Sequence, residues 1–214
     1  MERIPIELES FHHVYNRGTD KRIVFGDSED YERFILYLNI LNDVEIKSPT
    51  DVGIITGRKI YSPSAERLVN LVAFCLMPNH FHLLLQEHVT GGISKFMHRL
   101  STAYTMYFND KQDRSGALFQ GRFKSKFVDT ELYLLKIIDY IHVNPKNLPG
   151  SLKYEWSSYH YYCGDNKFGH LLQFDTLQEI TKIVRGAEYR NWLSTQSDFS
   201  DIFQLSIDGE DIKS

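Results

Sequence analysis

Hydrophobic positions recur at strand spacing in some stretches of this chain and at helix spacing in others, and the changes of rhythm delimit its elements. Glu9 to Asn16 reads as a strand, closed by Arg17-Gly18 and the polar turn Thr19-Asp20. A helix follows, capped by Asp27 or Ser28 and running to about Leu41. Its apolar residues Tyr31, Phe34, Ile35, Leu38 and Leu41 fall at helical spacing, and Glu29 and Asp30 sit in its first turn. Residues 43–67 lose periodicity and hold Ser48-Pro49, Gly53, Gly57 and Ser62-Pro63. They read as an inserted loop with a short hairpin around Ile54 and Ile60. Val69 to Leu76 is a continuous apolar run, Met77-Pro78-Asn79 breaks it, and His80 to Glu87 resumes with strand patterning. That is an antiparallel strand pair joined by a tight Pro-Asn turn.

Thr90-Gly91-Gly92 ends the pair. A long amphipathic helix from about Ile93 to Asn109 presents Phe96, Met97, Leu100, Ala103, Tyr104 and Tyr107 as its stripe. Ser115 to Val128 is loop and then strand, with aromatic and polar residues alternating from Phe119 onward. Asp129 or Thr130 caps a further helix, expected to run to Asn144 and to stop before Pro145, which disfavours helical geometry in its predecessor. Leu148-Pro149-Gly150 is a linker. Beyond it, Trp156, Trp192 and a weak helix near Leu177 to Val184 form a C-terminal helical appendage. Strand, helix, strand pair, helix, strand, helix with hairpin-type connections predicts an α+β fold on an antiparallel sheet, not a doubly wound parallel one.

Composition narrows the function classes. The longest uninterrupted apolar run, Leu71 to Met77, is seven residues, against the roughly 20 a membrane span needs. The N-terminus carries charges and no apolar core of a secretory signal, and Cys75 and Cys163 are too few for a disulfide framework or a four-thiolate zinc site. A cytoplasmic protein is expected. The net charge of −4 resides entirely in the residues from Asp165 onward, which hold nine acids and five bases; residues 1–164 balance. Within them Lys95 to Lys126 carries seven bases against Asp110 and Asp113, interleaved with Tyr104, Tyr107, Phe119, Phe123 and Phe127. That is the pattern of a local surface that follows a polyanion, and equally of a solvated helix face and loop. We expect a domain over 1–164, with the insert at about 43–67, and an acidic appendage over 165–214.

Two pairs of residues carry candidate chemistry. His80-Phe81-His82 lies on a strand, so both imidazoles share one face and Phe81 joins Leu83 and Leu85 on the other. Imidazoles about 7 Å apart along a strand can converge on one divalent ion; ordinary half-buried histidines have the same spacing. Tyr140 and Asn144 lie four apart on the last helix of the core pattern, stacked on one face. A carboxamide oxygen is a plausible hard ligand for magnesium or manganese. A phenol one turn away could attack a phosphate polarised by that ion, while the ordinary reading of Tyr140 is a core aromatic. A phenol of pKa about 10 is mostly protonated at neutral pH and needs such help. Arg122, Lys124 and Lys126 alternate after Gly121 and are expected to share one strand face, as DNA-backbone contacts or as exposed solubilising charges.

Met77-Pro78-Asn79-His80-Phe81-His82-Leu83-Leu84-Leu85 resembles the signature strand of the HUH single-tyrosine transposases. Four further blocks resemble the branch of REP-associated tyrosine transposases. They are Tyr15-Asn16-Arg17-Gly18, Leu118-Phe119-Gln120-Gly121-Arg122-Phe123-Lys124-Ser125, Tyr140-Ile141-His142-Val143-Asn144-Pro145 and Glu155-Trp156-Ser157-Ser158-Tyr159. The five blocks stand in the right order over roughly residues 10–160. The resemblance implies a ferredoxin-like (RRM-like) sheet with the tyrosine helix laid across the histidine face. It implies Tyr140 as nucleophile, and His80, His82 and Asn144 as ligands of a divalent metal, Mg2+ or Mn2+. It also implies Arg17, Gln120, Arg122, Lys124 and Lys126 as candidate contacts to single-stranded DNA in hairpin repeats. The implied reaction cuts the strand, leaving a 5′-phosphotyrosine and a free 3′-hydroxyl, and then rejoins ends without ATP. The insert and the acidic tail stand outside that pattern and leave monomer or homodimer open. Three other readings compete: a non-catalytic RRM-like nucleic-acid binder with Phe123 and Phe127 stacking bases, a phosphodiesterase using water, and a domesticated, repeat-binding relative.

Overall fold

The computed structural model describes residues 6–48, 66–147, 154–183 and 185–195, and among these it has four strands and six α-helices. Strand β1 is Phe11–Arg17, and β2 (Val69–Met77) and β3 (His80–Glu87) form the expected hairpin. Strand β4 is Lys124–Val128. The sheet order is β2-β3-β1-β4 with every pair antiparallel. Helices α1 (Ser28–Ile40) and α2 (Gly92–Lys111) make the crossovers that this order requires, the ferredoxin-like arrangement. Helix α3 (Glu131–Val143) follows β4, and α4 (Tyr159–Tyr162), α5 (Phe174–Thr181) and α6 (Ala187–Thr195) come after it among the described residues. Among the described residues no helix is long and apolar enough to cross a membrane.

Alternation along the strands divides the interior into two layers. Phe81, Leu83 and Leu85 of β3 face α1 and α2 with Val14, Phe34, Leu38, Phe96, Leu100 and Tyr104. Ala73, Cys75, Met77 and Leu84 face α3, packing on Leu134, Ile137, Ile138, Tyr140 and Ile141. The unbroken apolar run of β2 is thus explained by burial on both sides. A register shift between Leu71 and Ala73 turns Val72 and Ala73 to the α3 layer together.

Local chemistry sets the ends. The Asp27 side chain accepts from Asp30 N at 3.1 Å and Thr130 Oγ1 from Tyr133 N at 3.2 Å, so each opens its helix as a cap. Helix α2 begins earlier than expected, at Gly92. Its free N–H groups are met from the preceding strand: the buried Glu87 carboxylate accepts from Gly91 N, Gly92 N and Ile93 N at 2.6, 3.2 and 2.8 Å. A Cβ at Gly92 would lie 2.1 Å from Leu68 O, so no larger residue fits there. Strand β1 starts at Phe11, two residues later than expected, because Glu9 sits at φ 62°.

Three expectations need correction. Helix α3 stops at Val143, yet Pro145 does not force Asn144 out of helical geometry: Asn144 has φ −50° and ψ −38° and opens a 3-10 turn over Asn144–Asn147. Pro145 lies in the first turn of that new segment, where a missing N–H costs nothing. The weak helix near the C-terminus is Phe174–Thr181, ended by Lys182 at φ 55°. Strand β4 begins only at Lys124, so Arg122 lies outside it.

The C-terminal helices dock on the sheet and not beside it. Leu172 bridges Leu71 in parallel and Ser157 bridges Cys75. Leu171 and Leu172 join the first layer, and Phe174, Leu177, Tyr189 and Leu193 the second. The insert's described ends lie side by side: Asp43 bridges Arg67, and the Asn42 side chain bonds Leu68 N, Val69 N and Val69 O. The hairpin expected around Ile54 and Ile60, and the linker at 148–150, fall outside the described residues.

Candidate active site

Neighbouring residues across an antiparallel pair share a face, so the register of three strands defines a surface before any side chain is inspected. On β3, His80 and His82 lie opposite Arg17 and Tyr15 of β1; on β4, Lys124 and Lys126 lie opposite Tyr15 and His13. His13, Tyr15, Arg17, His80, His82, Lys124 and Lys126 therefore occupy one side of the sheet. Helix α3 crosses that side and brings Tyr140 and Asn144.

The contacts are close. The His80 and His82 rings stand perpendicular with centroids 5.1 Å apart. The Tyr140 ring meets His82 edge-on at 5.5 Å and His13 at 6.0 Å. Asn144 Nδ2 lies 3.4 Å from His82 Nε2. The four residues the sequence singles out, His80, His82, Tyr140 and Asn144, converge.

Hydrogen bonds define the tautomers. His80 Nδ1 is 2.6 Å from Asn79 Oδ1, an oxygen that only accepts, so Nδ1 carries the proton and Nε2 the lone pair. His82 Nε2 accepts from the Asn144 amide, so its Nδ1–H donates to His13 Nε2 at 2.9 Å. Both histidines thus have an unprotonated Nε2. Burial drives His82 well below the usual imidazole range, helped by the charges of His13, His80 and Arg17; burial and Lys126 push His13 down to about 3. All of this favours neutral rings, the form that binds metal.

This donor set fits a divalent ion. Two neutral imidazoles and one amide present a mixed nitrogen and oxygen group, and a half-turn of the Asn144 amide exchanges its nitrogen for its oxygen at the same position. Among the described residues there is no cluster of three or more His, Cys, Asp or Glu side chains able to hold a metal.

The candidate DNA contacts separate into two groups. Arg17, Lys124 and Lys126 are on the histidine side, with Lys126 Nζ 5.9 Å from the centre of the Tyr15 ring. Gln120 and Arg122 are exposed in the loop before β4, where Gln120 N donates to Arg17 O at 2.8 Å. Arg122 therefore does not share the strand face of the two lysines as the alternation suggests. Phe127 pairs with His12 and Phe123 packs against the α1/α2 layer, both on the side away from the histidines. The base-stacking pair of the RRM-like reading is turned from the candidate site, because alternation that points the lysines one way points the aromatics the other.

Sequence reading missed His13, although it stands two residues from Tyr15 and four from Arg17 on one strand; only the β1–β3 register reveals its contact with His82. It also gave no role to Asp139 and His142 on α3. Burial, with the charge of His160, pushes His142 down to about 3, and burial raises Asp139, opposed by hydrogen bonds from Trp192 and Tyr189.

Residues 56–144 match the family described as transposase, IS200-like. That segment contains His80, His82, Tyr140 and Asn144. The match covers the β2–β3 hairpin, α2, β4 and α3, so the resemblance to that family lies in the segment that builds the site. Its fold resembles that of a REP-associated tyrosine transposase solved bound to a REP hairpin, with a TM-score of 0.53 and 14% identity over 77% of this chain and 84% of that one. At that identity the likeness concerns the fold. A candidate transposase from Deinococcus radiodurans R1 superposes more loosely, with a TM-score of 0.37 and 18% identity over 66% of this chain and 95% of that one. No curated protein sequence matches.

Proposed function

We propose that this protein is an IS200-like transposase, a metal-dependent single-strand DNA endonuclease and strand transferase of the REP-associated type, acting on hairpin-forming repeats. The observation that carries the reading is the meeting of His82 with both Asn144 and Tyr140, which join a metal-type nitrogen and a phenol from two distant parts of the chain. His80 Nε2, His82 Nε2 and the Asn144 amide would hold the ion. When bound, it supplies positive charge where a phosphate's non-bridging oxygens gain negative charge.

The chain's own groups perform the rest. The Tyr140 oxygen attacks the phosphorus, a phosphorus–tyrosine bond forms and the bond to the 3′ oxygen breaks. The phenol proton ends, net, on the departing 3′ oxygen, so no water and no nucleotide is consumed. Reversal by another 3′-hydroxyl rejoins strands. Tyr140 is fully buried, so the phosphate reaches it only by displacing what covers it. Arg17, Lys124 and Lys126 line the approach on the sheet side and are suited to follow the strand's backbone, with Gln120 and Arg122 at its rim. Support for a hairpin partner comes from the fold neighbour, which was solved with one.

The test incubates the protein with single-stranded hairpin-repeat DNA and Mn2+ and resolves covalent protein–DNA adducts on a denaturing gel. The reading expects an adduct that disappears on chelation and in Tyr140→Phe. Cleavage without an adduct would point to a water-using phosphodiesterase. Binding without cleavage under any metal would point to a non-catalytic or domesticated repeat binder.

A further inference from the structure

Helix α3 touches the sheet through apolar side chains, and apolar contacts carry no direction along the surface they cover. Leu134, Ile137, Ile138 and Ile141 on Ala73, Cys75 and Leu84 hold the helix down without fixing where along the strands it rests. Yet one residue of slippage moves Tyr140 by about 1.5 Å, enough to lose a near-attack geometry. The polar contact between the end of α3 and the sheet, Asn144 Nδ2 to His82 Nε2, is long at 3.4 Å, so further directional bonds are needed to set the register.

The side of α3 that meets α6 and Ser158 supplies them. Asp139 and His142 are both buried there. Trp192 Nε1–H donates to Asp139 Oδ2 at 2.9 Å and the Tyr189 hydroxyl to Oδ1 at 3.1 Å. His142 Nδ1 is 2.6 Å from the Tyr189 oxygen and its Nε2 is 2.7 Å from Ser158 Oγ. Phe74 N on β2 is 2.9 Å from the same Oγ.

One constraint orients every proton. A carboxylate only accepts, so Tyr189 gives its single proton to Asp139 and its oxygen must accept from His142 Nδ1–H. His142 then offers a lone pair at Nε2 to the Ser158 hydroxyl at 2.7 Å, closer than that hydroxyl's other acceptor, Phe74 O at 3.2 Å, and the Ser158 oxygen accepts Phe74 N–H. Donors run head to tail from the backbone of β2 through α3 to α6 and back to a carboxylate one residue from Tyr140. Each bond in such a series polarises the next.

We infer that Asp139 is the positioning residue for Tyr140, acting through Tyr189, Trp192, His142 and Ser158 to pin α3 in register over His80 and His82. The inference rests on the reading of Tyr140 as nucleophile. It also assigns the C-terminal helix α6 a task in the reaction that apolar docking alone would not require.

Two measurements test it. In Tyr189→Phe and Trp192→Phe, adduct formation at saturating DNA falls about tenfold or more while DNA affinity stays within about twofold, a loss in kcat and not in KM. Tyr162→Phe is the control, since the Tyr162 hydroxyl donates to Val72 O at 3.1 Å in the same buried layer without touching Asp139; its rate stays at that of the parent. The register is read separately, without activity, from the spin-label distance between Leu132→Cys on α3 and Met106→Cys on α2, both exposed, in a Cys163→Ser background. A single narrow distance in the parent and in Tyr162→Phe should broaden or shift in Tyr189→Phe. Equal rates in Tyr189→Phe, Trp192→Phe and Tyr162→Phe would overturn the inference, as would an unchanged distance. A parent that forms no adduct, or an adduct surviving in Tyr140→Phe, would instead sink the proposed function and leave the distance measurement to judge the pin.

Discussion

The same two strands, β1 and β3, by alternation build two unlike faces. Toward α1 and α2 they present Val14, Phe81, Leu83 and Leu85, closed by an aromatic group in which Phe34 meets Phe81 at 5.2 Å and Tyr104 at 4.9 Å. Toward α3 they present His13, Tyr15, Arg17, His80 and His82, where rings are held by hydrogen bonds and oriented. The first face draws its free energy from apolar area, which is large and indifferent to direction. The second keeps buried polar groups, which are worth little net to stability but fix geometry. Folding and chemistry are thereby assigned to opposite sides of one sheet, and substitutions should separate them.

The largest separation is expected between Phe81 and Tyr140, both fully buried aromatics on opposite sides. Phe81→Ala should cost about 3–5 kcal/mol in denaturant unfolding, with the surviving folded fraction still forming adduct. Tyr140→Phe removes one hydroxyl, so its unfolding free energy should move by no more than about 1.5 kcal/mol. Its adduct should vanish from a denaturing gel. If Tyr140→Phe unfolded as easily as Phe81→Ala, Tyr140 would be a core residue after all and the contrast between the faces would fail.

A buried polar residue taken from each face sharpens the comparison. His13 accepts from His82 Nδ1 and so aims Nε2 at the candidate metal position. Partners of this kind typically change metal affinity by about 10–100-fold, and calorimetry should find Mn2+ bound that much more weakly by His13→Phe. His13→Gln, whose side-chain oxygen also accepts, should recover part of the loss. Glu87 on the opposite face satisfies three N–H groups at the start of α2. Glu87→Ala should lower stability by about 1–3 kcal/mol and leave Mn2+ affinity where it was.

How much of this the sequence discloses follows the same division. The strand pair around Pro78-Asn79, the caps at Asp27 and Thr130 and the facing of Phe81 away from His80 and His82 are local consequences of alternation and turn chemistry, and they are legible. Tyr140 and Asn144 are legible as a pair because one helix turn relates them. What is not legible depends on strand register or on partners far along the chain. His13 meets His82 across 69 positions, Asp139 meets Trp192 across 53, and the Glu87 cap reaches forward from a strand with no N-cap motif to announce it. Arg122 misleads for a related reason: alternation is read from the residues themselves, whereas the regular β1–β4 ladder ends at the Tyr15–Lys124 pair and the chain before it meets β1 irregularly, through Gln120 N to Arg17 O and Asn16 Nδ2 to Gly121 O. The docking of α5 and α6 into the second layer is hidden in a stretch whose acidic charge suggests a solvated tail.

The smallest expected effect distinguishes the two faces as DNA surfaces. If the strand follows the histidine side, Lys124 and Lys126 neutralise phosphates while Phe127, on the reverse side and still exposed, meets no base. Each lysine contact releases counterions, so Lys124→Ala and Lys126→Ala should each weaken single-stranded DNA binding evenly across sequences. Each should also reduce the slope of log affinity against log salt by about 0.7. Phe127→Ala should leave both quantities unchanged. Stacking on an aromatic would instead appear as a loss of about 1–3 kcal/mol that salt does not alter. Fluorescence anisotropy over a salt series separates these outcomes, because screening acts on the lysine term and not on the stacking term. A salt-independent loss in Phe127→Ala with no change in slope for either lysine would move the DNA to the α1/α2 side. The histidine face would then be left without a substrate.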